Sequence, residues 1–207
     1  MTYDELPELH SIMPVENLPS ILEHGILSNH NAKKRKHSSI AMEEIQNIRA
    51  NVVLPTGKTL HSYACLYINA RNKMMYKRQH MHRELCVLRV DKRIIQDPRA
   101  IVADMNASSA YVRFGSGVSG LKKIDKEVIF ARHWTHPGDP IAQMRHGAEM
   151  CAEVLLLDVV RPEFITGVYV SNEETKKAIE SAHPQLNVTV NSDLFFQRGD
   201  YGEDDNR

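Results

Sequence analysis

The chain opens with a short apolar run, LHSIM, that reads as a strand. The stretch after it, VENLPSILEH, sets Val15, Leu18, Ile21 and Leu22 on one helical face. Gly25 then supplies a helix stop. SNHNAKKRKHSS follows, polar and basic without periodicity, and is expected to be a loop that stays mobile until an anion orders it. AMEEIQNIRA reads as a helix closed by the Pro55-Thr56-Gly57 turn. From Thr59 onward the period changes. LHSYACLYIN, ELCVLRVD, RAIVADM, EVIFARHW, EVLLLDVV, FITGVYVS and NVTV are short runs rich in β-branched and aliphatic residues, each bounded by turn or charged residues. Helical stretches fall between some of them, notably DPIAQMRHGAEMC and NEETKKAIESAH. Strands in clusters, rather than in strict alternation with helices, predict an α+β fold with a mainly antiparallel sheet and flanking helices. No Walker A or internal repeat is present. The acidic end, GDYGEDDNR, is too polar to pack, so residues from about 198 to 207 are expected to fray.

Composition refines this picture. With 207 residues, 42% hydrophobic and 25% charged, the chain fits a single catalytic domain spanning 1–207. No apolar stretch approaches the roughly 20 residues that cross a bilayer, and the acidic MTYDELPELH does not resemble a signal peptide; a cytoplasmic protein without a membrane partner is expected. Cys65, Cys86 and Cys151 are widely spaced, odd in number and in apolar contexts, which predicts buried reduced thiols. Net charge is zero, yet the charge is sorted: residues 1–29 carry five acids and no Lys or Arg, whereas residues 30–99 carry fifteen Lys/Arg against five acids. Sorted positive charge suits a phosphate-backbone partner, although scattered solvated lysines would give the same count.

Candidate chemistry is sparse. Glu153 begins an apolar strand, where a carboxylate is expensive to bury unless it is hydrogen-bonded or working on a ligand; it could equally point at water. Arg71 directly follows an apolar strand and could clamp phosphate bidentately or close a surface ion pair. His80-x-His82 and His133-x-x-His136 lack further ligands at customary intervals, so no metal site is expected. NASSAYVRFGSGVSGL lacks the context of a phosphate loop and reads as a flexible loop bearing substrate contacts. Met74, Met75, Tyr76, Lys77 and Arg78 are either core filler with a solvated end or an aromatic platform beside cations.

Five ordered pieces, LHSIMPVENLPSILEHGIL, LHSYACLYINARNKMMYKR, LCVLRVD, VADMNASSAYVRF and CAEVLLLDVVRPEFITGVYVS, resemble the DarT family of toxins that ADP-ribosylate DNA bases. The likeness runs from about Leu9 to Ser171. It implies an ADP-ribosyltransferase-like split β core with NAD+ in the cleft and no metal. It implies that Glu153 is the catalytic glutamate and that Arg71, in NARNKMMY, is the essential arginine, with Ala70 where the family has proline. Tyr63 would meet the nicotinamide side, and Asn106 would lie near the target base, with Tyr76, Lys77 and Arg78 along the DNA. The family's first motif is a histidine followed by Ile-Thr; here Ser11 falls in the histidine's place with His10 one residue early, so His10, Ser11 and Ile12 share the cofactor assignment. The wording of LHSIMP, NARNKMMYKR and CAEVLLLD is similar to the guanine-modifying branch rather than the thymine-modifying one.

The implied reaction transfers ADP-ribose from NAD+ to a base in single-stranded DNA, since a duplex hides the base nitrogen. A neighbouring antitoxin with ADP-ribosyl hydrolase activity, such as a macrodomain, is implied as partner. The rivals are an RNA-directed transferase, an RNA 2'-phosphotransferase, and a non-enzymatic single-strand-binding protein, for which the basic segment alone would be sufficient.

Overall fold

Apolar residues at every second position build an eight-stranded sheet, and the places where it fails to pair decide where a ligand can enter. The computed structural model describes residues 1–197, so the expected fraying of 198–207 lies outside the described residues. The strands are β1 (Leu9–Pro14), β2 (Ile26–Leu27), β3 (Tyr63–Tyr67), β4 (Leu85–Val90), β5 (Ile101–Ala103), β6 (Phe114–Ser116), β7 (Glu153–Leu157), β8 (Val159–Val160), β9 (Ile165–Val170) and β10 (Val188–Val190). The main sheet runs β10-β9-β4-β1-β3-β7-β5-β6, antiparallel except for the β9–β10 pair; β2 and β8 form a separate ladder. The α+β, mainly antiparallel expectation is met.

The join between the halves of the sheet is a single residue pair. β1 pairs along its whole length with β4, and β3 with β7, but β1 meets β3 only at His10↔Tyr67. Beyond that pair the two strands diverge, and the sheet is split. Alternation sorts the faces. Leu9, Met13, Ala64, Leu66, Leu88, Val154, Leu156 and Val168 belong to the large core on one face. Tyr63, Ile101, Ala103 and Leu155 form one small cluster on the other face, and Ile12, Met75 and Val87 form a second. The gap between these two small clusters is the cleft.

Helices are set by caps more than by periodicity. α1 (Leu18–His24) stops at Gly25, whose φ of 82° is left-handed and where an added Cβ would lie 2.2 Å from the Val160 carbonyl oxygen. α2 (Asn29–Ala32) is one turn capped by Ser28, so the basic stretch expected to be all loop starts helical. α3 (Glu43–Ala50) falls where expected. α4 (Lys73–Arg78) was not signalled by pattern; it exists because buried Asn72 accepts from the Met74 and Met75 amides while donating to the Asn69 carbonyl. This is why the apolar run of β3 halts at Asn69-Ala70-Arg71.

α5 (Gly117–Gly120) and α6 (Lys126–Ile129) follow, then α7 (Pro140–Glu149) and α8 (Glu173–Ala182). α6 corrects a strand expectation. EVIFARHW is not β, because Asp125 accepts from the Glu127 and Val128 amides and commits the segment to a helical turn that buries Ile129. No helix among the described residues is long and apolar enough to cross a membrane.

Candidate active site

The sheet's register carries a row of side chains across the split. Arg89 lies opposite His10, His10 opposite Tyr67, Tyr67 opposite Glu153, and Glu153 opposite Ala103. Directly opposed residues share a face, so His10, Tyr67 and Glu153 stand side by side at the closed end of the split, His10 and Glu153 about 10 Å apart at two strand spacings. The same alternation turns the Ser11 side chain toward the opposite face. Ser11 borders the cleft where β1 leaves β3, and Ile12 borders it from the His10 face.

Glu153 is 1% exposed. Its Oε1 accepts from Arg49 Nη1 at 2.9 Å and from the Ala107 amide at 3.0 Å, and its Oε2 accepts from Arg49 Nη2 at 2.7 Å. This is a bidentate fork in which both ions are buried, Arg49 being 8% exposed. Burial works against the Arg49 charge, but the Glu153 carboxylate outweighs it and holds the guanidinium well above its usual range. Arg49 Nη2 also reaches Cys65 Sγ at 3.1 Å, and Nη1 reaches Asn106 Oδ1 at 3.4 Å.

The sequence carried a signal for Arg49 that the motif reading passed over. On α3, Ile45, Gln46 and Arg49 share one face, and all three line the cleft. No acid lies three or four residues from Arg49, so an arginine on the inward face had to find its partner far along the chain. Tyr67 was missed for the opposite reason: its neighbours in sequence are unremarkable, and only the β3–β7 register sets it against Glu153.

Arg71 is elsewhere. Its Nη1 donates to the Arg132 carbonyl at 2.6 Å, its Nε donates to the Asp193 carbonyl at 3.2 Å, and its guanidinium lies 4.2 Å over the Phe196 ring. Tyr76 joins the same group, edge-to-face with Trp134 and Phe196. Neither residue lines the cleft that holds Glu153. Tyr63 does line it, with its hydroxyl tied to Thr56 Oγ1 at 2.7 Å.

The cleft encloses about 580 Å³. Arg49, Lys73, Lys77 and Arg78 line it against Glu153 as the one carboxylate among the described residues, and Asn106, Ser108 and Ser109 form part of its rim. Arg78 donates twice to the Ile40 carbonyl, at 2.9 and 2.6 Å, tying the basic loop beside the opening. Of the fifteen cations between 30 and 99, Arg83, Arg89, Arg93 and Arg99 pair with Glu174, Glu8, Asp91 and Asp97, and Lys92 caps backbone carbonyls. The sorted charge is therefore not one track; what faces the opening is Lys73, Lys77 and Arg78, adjoined by the exposed Lys33, Lys34, Arg35 and Lys36.

Two polar features fit a dinucleotide. His10 Nδ1 and Asn29 Oδ1 are buried side-chain atoms without a hydrogen-bond partner among the described residues, and Asn29 lines the cleft. The volume lies in the range of a small-molecule site. No group of three potential metal ligands occurs among the described residues. Cys65, though beside Arg49, is pushed up to about 12, chiefly by burial. Iodoacetamide at pH 8 is accordingly expected to leave Cys65 unmodified in the folded protein, as read by peptide mass mapping; rapid labelling would show a thiolate that this site should not hold.

The family model described as "ssDNA thymidine ADP-ribosyltransferase, DarT" matches residues 10–196. A Thermosipho africanus protein described as a DNA ADP-ribosyl transferase–DNA ADP-ribosyl glycohydrolase fusion is 28% identical over 199 residues, which is 91% of this chain and 49% of that one. The chain thus spans about half of that relative's length. The Thermus sp. 2.9 DarT structure in complex with ADP-ribosylated ssDNA shares the fold, with a TM-score of 0.79 at 22% identity, covering 94% of this chain and 99% of that one. The same protein in complex with NAD+ gives 0.75 at 20% identity, covering 94% and 100%. A match across nearly the whole chain, on a split sheet with this buried Glu–Arg fork, means that the chain belongs to the DarT family.

Proposed function

We propose that this protein transfers ADP-ribose from NAD+ to a nucleobase of single-stranded DNA, releasing nicotinamide, in the cleft between His10, Tyr67 and Glu153. The observation that carries this reading is the Glu153–Arg49 fork: a carboxylate buried and held in one orientation at the closed end of the split, with cations as its surroundings. NAD+ supplies an electrophilic ribose carbon once its bond to nicotinamide loosens. Glu153 then stabilises the positive charge on the sugar, as carboxylates do in glycoside chemistry. Arg49 holds that carboxylate in one geometry, and Tyr67 stands between His10 and Glu153 in the sheet register and lines the cleft. Lys73, Lys77 and Arg78 neutralise phosphates at the opening.

Asn106 supports a reading of the base. Its Oδ1 lies 3.0 Å from the Ser108 amide and 2.7 Å from Ser108 Oγ. A backbone amide can only donate, so the atom it meets is the oxygen, and the Asn106 NH₂ is directed away from Ser108 as a donor. With Arg49 beside it, the base subsite offers donors. That suits a base with a keto oxygen next to its ring N–H, the edge that guanine and thymine share and that adenine and cytosine lack. The relative fused to a DNA ADP-ribosyl glycohydrolase supports a partner that reverses the mark, and thus a toxin role in a cytoplasmic toxin–antitoxin pair.

Nicotinamide release is the direct assay. It is expected to require both NAD+ and single-stranded DNA. Equal release with RNA would favour the RNA-directed reading, and oligonucleotide binding with no release would favour a binding protein. Removing Lys73 and Lys77 together is expected to weaken binding to all sequences alike and to lower the salt slope by about 0.7 per cation, as titrations at several salt concentrations will show.

A further inference from the structure

His10 carries one of the two unpartnered buried side-chain atoms found among the described residues. Its Nε2 lies 3.3 Å from Glu8 Oε1, while Nδ1 is buried without a partner among the described residues. Glu8 is itself held from two other sides: Tyr169 OH donates to Oε1 at 2.8 Å, and Arg89 Nε donates to Oε2 at 2.9 Å. Burial works against the Glu8 charge, but hydrogen bonds from His10, Tyr169 and Arg89 outweigh it and bring the carboxyl down to about 2. An ionised carboxylate only accepts hydrogen bonds, so the proton of the neutral imidazole must sit on Nε2, and Nδ1 is left as a bare lone pair. A lone pair needs a donor. The phosphates of a dinucleotide have none at neutral pH, whereas its ribose hydroxyls do.

We propose that Glu8, fixed by Arg89 and Tyr169, is a positioning residue that holds His10 in its Nε2–H tautomer so that Nδ1 accepts a hydrogen bond from a ribose hydroxyl of the bound dinucleotide. The ligand half of this inference rests on the NAD+ reading above; the tautomer half does not. Neither His10's family assignment nor the sheet register requires Glu8. What requires it is the placement of three polar groups, on β1, β4 and β9, around the one carboxylate that the segment before β1 supplies.

Glu8→Gln tests it, because the substitution inverts the lock. The Arg89 N–H can only donate, so it draws the glutamine carbonyl, and the amide NH₂ is turned toward His10 Nε2. The imidazole proton then moves to Nδ1, and a donor meets a donor. Nitrogen NMR of histidine-labelled protein without ligand is expected to show His10 with bare Nδ1 in wild type and protonated Nδ1 in Glu8→Gln. An Nδ1–H tautomer in wild type would overturn the proposal whatever the protein binds. NAD+ affinity by calorimetry is expected to fall about tenfold in Glu8→Gln, with the thermal midpoint reported alongside. Glu8→Gln should cost nothing further in a His10→Asn background; an equal loss in both backgrounds would mean that Glu8 acts through the fold and not through His10. NAD+ analogues lacking one hydroxyl on either ribose identify the donor: one of them should bind wild type about tenfold weaker and His10→Asn no weaker than NAD+ itself. If every analogue loses equally in both proteins, the hydroxyl contact is overturned. If wild type binds no NAD+ at all while the tautomer is as stated, the NAD+ reading falls with the ligand half of this one.

Discussion

Glu153→Gln is expected to lower ADP-ribose transfer to single-stranded DNA by about 10²-fold or more. On the proposed reaction, the loss follows from removing a preorganised negative charge from the developing sugar cation. The structure adds a second consequence that sequence alone did not suggest. Glutamine keeps one acceptor for Arg49 and the Ala107 amide but turns its NH₂ against Arg49 Nη2, so part of a buried fork is broken. Leaving a buried donor unsatisfied costs about 1–3 kcal/mol, which should appear as a thermal midpoint a few degrees lower in a protein that still folds cooperatively. NAD+ binding at the temperature of the assay separates the two effects. A variant that stays folded, binds NAD+ and still transfers at near wild-type rate would remove Glu153 from the chemistry.

The second large effect concerns which arginine matters. Arg49→Lys keeps the positive charge but cannot reproduce two parallel N–H donors, so Glu153 loses its fixed geometry and transfer should again fall about 10²-fold. Arg49→Ala goes further: it strands a buried carboxylate and costs on the order of 3–5 kcal/mol. Arg71→Ala should leave transfer within a few-fold of wild type, because its contacts among the described residues include Asp193, the Arg132 carbonyl and the Phe196 ring, and it does not line the cleft. Initial rates of nicotinamide release for the three variants, each with its melting curve, check this order. A dead Arg71→Ala beside an active Arg49→Lys would reverse the assignment.

Legibility in the sequence followed the reach of the interaction. β1, α1, α3, β4, β7, β9, α7 and α8 were readable because alternation, helical spacing and the Gly25 stop are local signals. α6 was misread as strand because Val128, Ile129 and Phe130 look like β, while the deciding group, Asp125, is a cap whose grip on two amides outweighs a three-residue apolar run. α4 was missed for the same reason, with Asn72 as the cap. Among the candidate site residues, Glu153, His10, Ile12, Tyr63, Asn106, Lys77 and Arg78 meet around the cleft or its row, Ser11 touches it from the other face, and Arg71 and Tyr76 fall into a separate aromatic group. Arg49 reaches Glu153 across 104 positions, and Tyr67 reaches it only through strand register. Neither relation exists in a local window.

The proposed reaction marks a base with a keto oxygen next to its ring N–H in single-stranded DNA. Its most direct test is mass spectrometry of one mixed-sequence oligonucleotide, containing all four bases, after incubation with NAD+ and either wild type or Glu153→Gln. Wild type should add ADP-ribose to guanine or thymine and to no other base, the duplex form should remain unmodified, and the variant should yield at most a trace. An adduct on adenine or cytosine, modification of the duplex as readily as of the single strand, or an unmodified oligonucleotide that the protein nonetheless binds would contradict it.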